Sequence, residues 1–248
     1  SISPILFSKY TTGSMEDATS QNKTLDYQDV FSMDRTSNLT TIETGASVGY
    51  GFEYNINKKD LNNNVYLDAG FSIGQIVKEK RLKQMPKNSS LQEKKSDYMG
   101  NSSFKIKSEK LSNSAINIDY NYIVNNNFNA LVKNEITTSF TNSHNQLGLV
   151  FYEENRIGDK HYVEANYKRK FNSSLNFSMG TRKNLQEDFT ERNFIETNYE
   201  SDCLKIGLNL SKVFYQDGEI KPSNNLTFSI VLKPFGSPVA PDLSNFLN

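Results

Sequence analysis

The chain has no tryptophan, one cysteine and two histidines. A single cysteine, Cys203, excludes an internal disulfide framework. His144 and His161 have no neighbouring pattern of metal ligands, so no metal centre is expected. No glycine-rich phosphate loop joins a strand to a helix, and neither a cofactor nor an enzymatic activity is expected. The formal net charge is zero, which removes any general signal for a polyanion, and nucleic acid is not an expected partner. No apolar run approaches the roughly 20 residues that a transmembrane helix needs, so any crossing of a membrane must be made by strands. Only 36% of the residues are hydrophobic. Yet 12% are aromatic, mostly Tyr and Phe, which is too many for a disordered chain.

What is present is alternation. Leu204, Ile206, Leu208 and Leu210 alternate with Lys205, Gly207, Asn209 and Ser211. Leu226, Phe228, Ile230 and Leu232 alternate with Thr227, Ser229 and Val231, and Asp217-Gly218 and Pro222-Ser223 mark the turn between the two runs. Successive side chains of a strand point to opposite faces, so each run is a strand with one apolar and one polar face. The unit recurs. Ala46, Val48, Tyr50, Phe52 and Tyr54 oppose Ser47, Gly49, Gly51 and Glu53; Val65 to Ile73 alternates with Tyr66 to Gly74. Ile116 to Tyr122, Val132 to Phe140, Leu147 to Phe151, Val163 to Tyr167, Leu175 to Met179 and Ile195 to Tyr199 follow, with short strands at residues 2–9 and around Phe104. About twelve strands of roughly ten residues are expected, the length that spans a bilayer at a tilt. A soluble antiparallel sandwich also alternates, but its strands are usually shorter.

The expected fold is therefore all-β, an antiparallel transmembrane β-barrel portion. Its polar parity would face a wet lumen with Glu53, Asp68, Asn117, Asp119, Lys133, Glu135, Glu164, Asn166, Lys168, Glu196, Asn198 and Asn209. Gly49, Gly51, Gly70 and Gly74 read as small residues of that face on curved strands. Tyr50, Tyr54, Tyr122, Phe140, Tyr167 and Tyr199 end the apolar bands, as an interfacial aromatic girdle would. With the last strand ending in the periplasm, both long connections, 10–40 and 77–97, fall on the outer side. The second carries Lys78, Lys80, Arg81, Lys83, Lys87, Lys94 and Lys95 against Glu79 and Glu93. It reads as a solvated loop, or as a contact for anionic lipid headgroups. His161 lies on the apolar parity of its strand just after a turn, which suits an interfacial residue better than the base of a barrel hydrolase. The opening SISPILFSKY lacks the features of a signal peptide, and the natural protein is expected to begin upstream.

Two stretches resemble the C-terminal barrel of the lipopolysaccharide-assembly protein family LptD, also called organic solvent tolerance proteins. The first holds Glu16-Asp17, Asp29-Val30-Phe31, Asp34-Arg35, Glu43-Thr44-Gly45 and Tyr50-Gly51-Phe52. The second holds Cys203-Leu204, Asp217-Gly218-Glu219-Ile220-Lys221-Pro222 and Leu232-Lys233-Pro234-Phe235-Gly236. The glycine that follows the Phe-Ser of the family is missing after Phe31-Ser32, and one cysteine stands where many members have two. The resemblance implies an outer-membrane translocon, not an enzyme. Residues 1–236 would be the C-terminal half of a larger barrel, with 237–248 as a tail. Its partners would be lipopolysaccharide, an LptE-like lipoprotein plug and a periplasmic Lpt bridge reached through an N-terminal domain. The resemblance also implies an outer-loop motif at Phe31, Asp34 and Arg35, and a lateral seam on the last strand at Leu226, Phe228, Ile230 and Leu232. It implies a disulfide from Cys203 to a cysteine of the N-terminal region. Another outer-membrane barrel, a porin or a receptor, is the alternative expectation.

Overall fold

In a computed structural model, the chain folds into one antiparallel sheet of twelve strands, hydrogen-bonded in the order of the sequence. The structure describes residues 1–36, 42–59, 65–108, 114–158, 160–214 and 222–233. The turn at Asp217 to Lys221, the end at Pro234 to Gly236 and the tail 237–248 lie outside the described residues. The strands are β1 (Ile2–Thr11), β2 (Gly45–Lys59), β3 (Val65–Lys78), β4 (Tyr98–Ser108), β5 (Ser114–Val124) and β6 (Leu131–Thr141). They continue with β7 (Asn145–Glu154), β8 (Lys160–Lys170), β9 (Leu175–Asn184), β10 (Phe189–Glu200), β11 (Leu204–Val213) and β12 (Ser223–Leu232). Strand β2 runs on to Lys59, five residues past Tyr54, where the expected alternation ends.

The chain divides into two compact units. One holds residues 1–139 and 150–162, the other 140–149 and 163–248. In the first unit the register aligns like with like. Tyr54, Phe71, Ser102 and Tyr120 are successive cross-strand partners on one face, and Ile56, Ala69, Phe104 and Ile118 form the next such row. On the opposite face Glu53, Ser72, Asn101 and Asn121 are partners. The second unit is sorted in the same way. Met179, Ile195, Leu210 and Leu226 form an apolar row, and Ser178, Glu196, Asn209 and Thr227 a polar one.

The apolar face is the exposed one. Tyr50 is 40% exposed, Leu208 also 40%, and Phe228 56%. Side chains standing side by side on a sheet shade one another, so values of this size mean that no second layer covers them. The polar-parity neighbours of Tyr50 are buried or half-buried, and Ser47 and Gly49 are buried. A water-soluble sandwich has the reverse arrangement, with the apolar faces packed together.

The buried core of the first unit lies at the end of the sheet where β1 leads to β2 and β3 to β4. Leu25 and Val30 of the first connection meet Leu82, Met85 and Leu91 of the second, over Ile76, Met99, Ile123 and Val132 of the strands. The two connections also bond to each other, Ala18 N donating to Gln84 O at 2.8 Å and Asn88 Nδ2 to Asn22 Oδ1 at 2.9 Å. The lysine-rich segment is therefore not simply solvated. Its apolar residues are core, and its first lysine, Lys78, is buried, while Lys80, Arg81, Lys83, Lys87, Lys94 and Lys95 are exposed. Tyr122 also departs from the expected girdle. It is 8% exposed, folds over Gly100 and donates from its hydroxyl to Ser72 O at 3.1 Å.

Candidate functional site

The first long connection folds onto the polar face of β2 and β3 through a short 3-10 helix, Gln28–Phe31. Asp26 starts it, its Oδ1 accepting from Gln28 N at 2.8 Å and Asp29 N at 3.1 Å. Asp29 reciprocates, accepting from Asp26 N at 2.9 Å. This two-way use of short acidic side chains satisfies donors that a helix start leaves open. The glycines of β2 and β3 make the docking possible. A Cβ on Gly49 would lie 2.2 Å from Val30 O, and one on Gly74 would lie 3.2 Å from the Val30 side chain. Their placement on the polar parity is as the sequence suggested, but close approach of the 3-10 helix accounts for it better than strand curvature does.

A buried ion cluster fastens the connection. The Arg35 guanidinium, with no exposed surface, donates from Nε to Asp29 O at 3.0 Å and from one terminal nitrogen to Val30 O at 3.2 Å. Its other terminal nitrogen donates to Glu43 Oε2 and to Ser47 Oγ, both at 2.9 Å. Lys9 Nζ reaches Glu43 Oε2 at 3.2 Å and Met33 O at 2.7 Å. Lys78 Nζ lies 3.5 Å from Glu43 Oε1 and donates to Leu91 O. One carboxylate thus holds three cations, from β1, from the connection itself and from the end of β3. Burial pushes the Glu43 carboxyl up, but Lys78, Arg35 and Lys9 outweigh it and hold it below the ordinary carboxylate value.

Beneath the 3-10 helix, a cavity of about 570 Å³ is lined by Asp26, Tyr27 and Gln28 above and by the polar rows of β2 to β6 below. Glu53, Ser72, Asn101 and Asn121 form its floor, with Asn101 Nδ2 donating to Asn121 Oδ1 at 2.6 Å. Lys133 and Glu135 stand beside them, paired at 2.8 Å. Three carboxylates, Asp26, Glu53 and Glu135, face one cation, Lys133, so the surface offers hydrogen bonds and a net negative charge to a polar, hydrated molecule and little to an apolar one. No protein family matches the chain, and no curated protein matches it.

The expected lumen residues fall as follows. Glu53, Lys133 and Glu135 line the cavity. Asn117 shares the polar face of the same unit and donates to Ser139 Oγ at 3.1 Å. Asp68 and Asp119 are exposed. In the second unit Asn166 lies over Gly148, and Asn198 Nδ2 donates to Glu196 Oε1 at 2.6 Å. Glu164 is half-buried, while Lys168 and Asn209 are exposed. Of the expected loop motif, Phe31 packs edge-on against Tyr27, Asp34 Oδ1 accepts from Thr36 N at 2.9 Å, and Arg35 centres the ion cluster. Leu226, Phe228, Ile230 and Leu232 lie exposed on β12, at the end of the strand order. Cys203 is exposed in the β10–β11 turn, and as the one cysteine it has no partner within the chain. His161 Nε2 lies 2.9 Å from Asn155 Oδ1 and 3.9 Å from Glu153 Oε1.

Sequence reasoning missed Lys9 and Ser47 as members of a site, and Asn101 and Ser103 as cavity lining. The signal for the last two was parity: both lie on the face of β4 opposite Phe104 and Ile106.

Proposed function

We propose that this chain is the membrane-embedded C-terminal part of an outer-membrane translocon that delivers lipopolysaccharide to the outer leaflet. The observation that carries the proposal is the inverted sorting of side chains, with apolar rows exposed and the polar row Glu53, Ser72, Asn101 and Asn121 buried or half-buried around a polar cavity. In lipid the exposed rows find a matching solvent, and neighbouring strands bond to each other along the order β1 to β12, whose two end strands would pair with the rest of a larger barrel. The residues that resemble the LptD family support the cargo. Asp34-Arg35, Glu43 and Tyr50-Gly51-Phe52 belong to one connection and the strand it docks on, and Arg35 and Glu43 are ion-paired at 2.9 Å.

In this reading the polar rows carry the sugar and phosphate portion, and acyl chains leave sideways along β12. An LptE-like lipoprotein would complete the plug, and a periplasmic Lpt bridge would supply the cargo through an N-terminal domain tied to Cys203. A passive porin also has a loop folded onto its polar face, so the test must read the cargo. In the full-length protein in cells, a photo-crosslinking residue at Asn121 or Leu226 is expected to capture lipopolysaccharide. Absence of capture at both Asn121 and Leu226 overturns the proposal.

A further inference from the structure

A second cavity, of about 340 Å³, lies in the loop cluster of the first unit, apart from the polar rows. Its cations are Lys87, Lys95 and Arg156, and its neutral donors include Ser90 and Asn126. Two carboxylates also border it, but both are engaged. Asp97 Oδ2 pairs with Arg156 at 2.5 Å, and Glu93 Oε2 pairs with Arg81 Nε at 2.8 Å. Among the described residues Lys87 and Lys95 have no carboxylate within ion-pair distance, although Lys87 feels the Asp17 carboxylate from further off, and both are exposed. Ser90 Oγ accepts from Asp97 N at 2.9 Å, which leaves its own hydrogen to donate.

The backbone fixes these groups. Val77 bridges to Lys95, Leu82 N donates to Gln92 O at 3.1 Å, and Leu91 and Met85 are buried, so the segment is a packed hairpin-like excursion. Lys80, Lys83 and Lys94 are exposed on the same segment and add positive field around the cavity.

We propose that this cavity binds the phosphate of a phosphorylated sugar headgroup. Two unpaired ammonium groups, a buried hydroxyl and a side-chain amide match the several acceptor oxygens of a phosphomonoester. A carboxylate would leave part of this donor set unused. The volume is at the lower end of small-molecule sites and holds a sugar ring together with the phosphate. The proposal deepens the functional reading above, and rests on it for the identity of the glycolipid. The phosphate chemistry rests on the cavity alone.

The test uses full-length protein in nanodiscs and three soluble probes: inorganic phosphate, a phosphorylated glucosamine disaccharide, and the same disaccharide without phosphate. Lys87→Ala/Lys95→Ala is compared with Lys80→Ala/Lys83→Ala, which removes equal charge from the same segment outside the cavity. The phosphorylated disaccharide is expected to bind, and to lose about ten-fold or more in affinity in the first variant but less than about two-fold in the second. Equal losses in both variants would reduce the effect to general charge and overturn the site. Binding of the unphosphorylated sugar with the same affinity overturns the phosphate assignment. Inorganic phosphate binding as tightly as the disaccharide overturns the headgroup assignment. Because the probes are soluble, failure of lipopolysaccharide capture in cells would sink the transport reading without touching this result.

Discussion

Replacing Glu43 with alanine removes the one carboxylate that faces Lys9, Arg35 and Lys78. Glu43 is 3% exposed, so water cannot replace it. Stranding buried cations in this way costs about 3–5 kcal/mol, most of it the penalty of unpaired charge rather than the loss of a single bond. The reverse change should be milder. With three cations to one anion the cluster already carries excess positive charge, so Lys9→Met relieves some of it. What that change loses is the charged bond to Met33 O and one of the three contacts to Glu43, about 1.5–3 kcal/mol before that relief is counted. The pH dependence follows from the same geometry. The folded-state value of Glu43 lies below its ordinary 4.5. Its contribution is therefore complete above that value and is lost as pH falls through the folded-state value. Wild type should weaken in acid over that range, and Glu43→Gln should not show this part of the dependence. The assay is urea unfolding in lipid followed by circular dichroism, since the chain has no tryptophan to report. Protease cleavage within residues 12–36 supplies a local readout. If Glu43→Ala stays within about 0.5 kcal/mol of wild type, or Lys9→Met costs more than Glu43→Ala, the cluster does not hold the connection in the way described.

Three further outcomes follow from the sorting of faces and the docking of the loop. Leu208→Arg should cost about 2–4 kcal/mol in lipid while Asn209→Lys is tolerated, and equal tolerance in a folding assay would refute the membrane reading. Gly49→Ala places a Cβ where the Val30 carbonyl already sits, and should release the 3-10 helix, at about 1–3 kcal/mol and with faster proteolysis of residues 12–36. Non-reducing electrophoresis of the full-length protein should change with Cys203→Ser. Unchanged mobility, with a native Cys203 that reacts with a thiol reagent before reduction, would exclude the proposed disulfide to the N-terminal region.

The strands were legible because their cause is local. Alternation such as Leu204 to Leu210 needs only a repeating face, and a cross-strand row forms wherever neighbouring strands share that parity. The loops were not legible, because what orders them is non-local. Leu82, Met85 and Leu91 show no period, and nothing near Lys78 in sequence announces that it will meet a carboxylate 35 positions earlier, at Glu43. Arg35 was singled out by resemblance, but Ser47, which accepts from it, and Lys9, which shares Glu43 with it, were not. Tyr122 looked like a band-ending aromatic until its pairing with Gly100 gave it a groove to fill.

The row structure also bears on how such a chain travels before it folds. Apolar side chains occupy alternate positions, so the polar ones dilute them, and mean hydropathy stays at −0.62. Machinery that retains helical membrane segments responds to continuous apolar windows. A nascent chain of this kind offers it none, and under the proposed function it would pass through the inner bilayer as an ordinary hydrophilic polypeptide. Only strand pairing separates the two parities into two surfaces. In that reading the affinity for lipid is absent from the extended chain and is created by folding, when pairing gathers the apolar parity onto one surface.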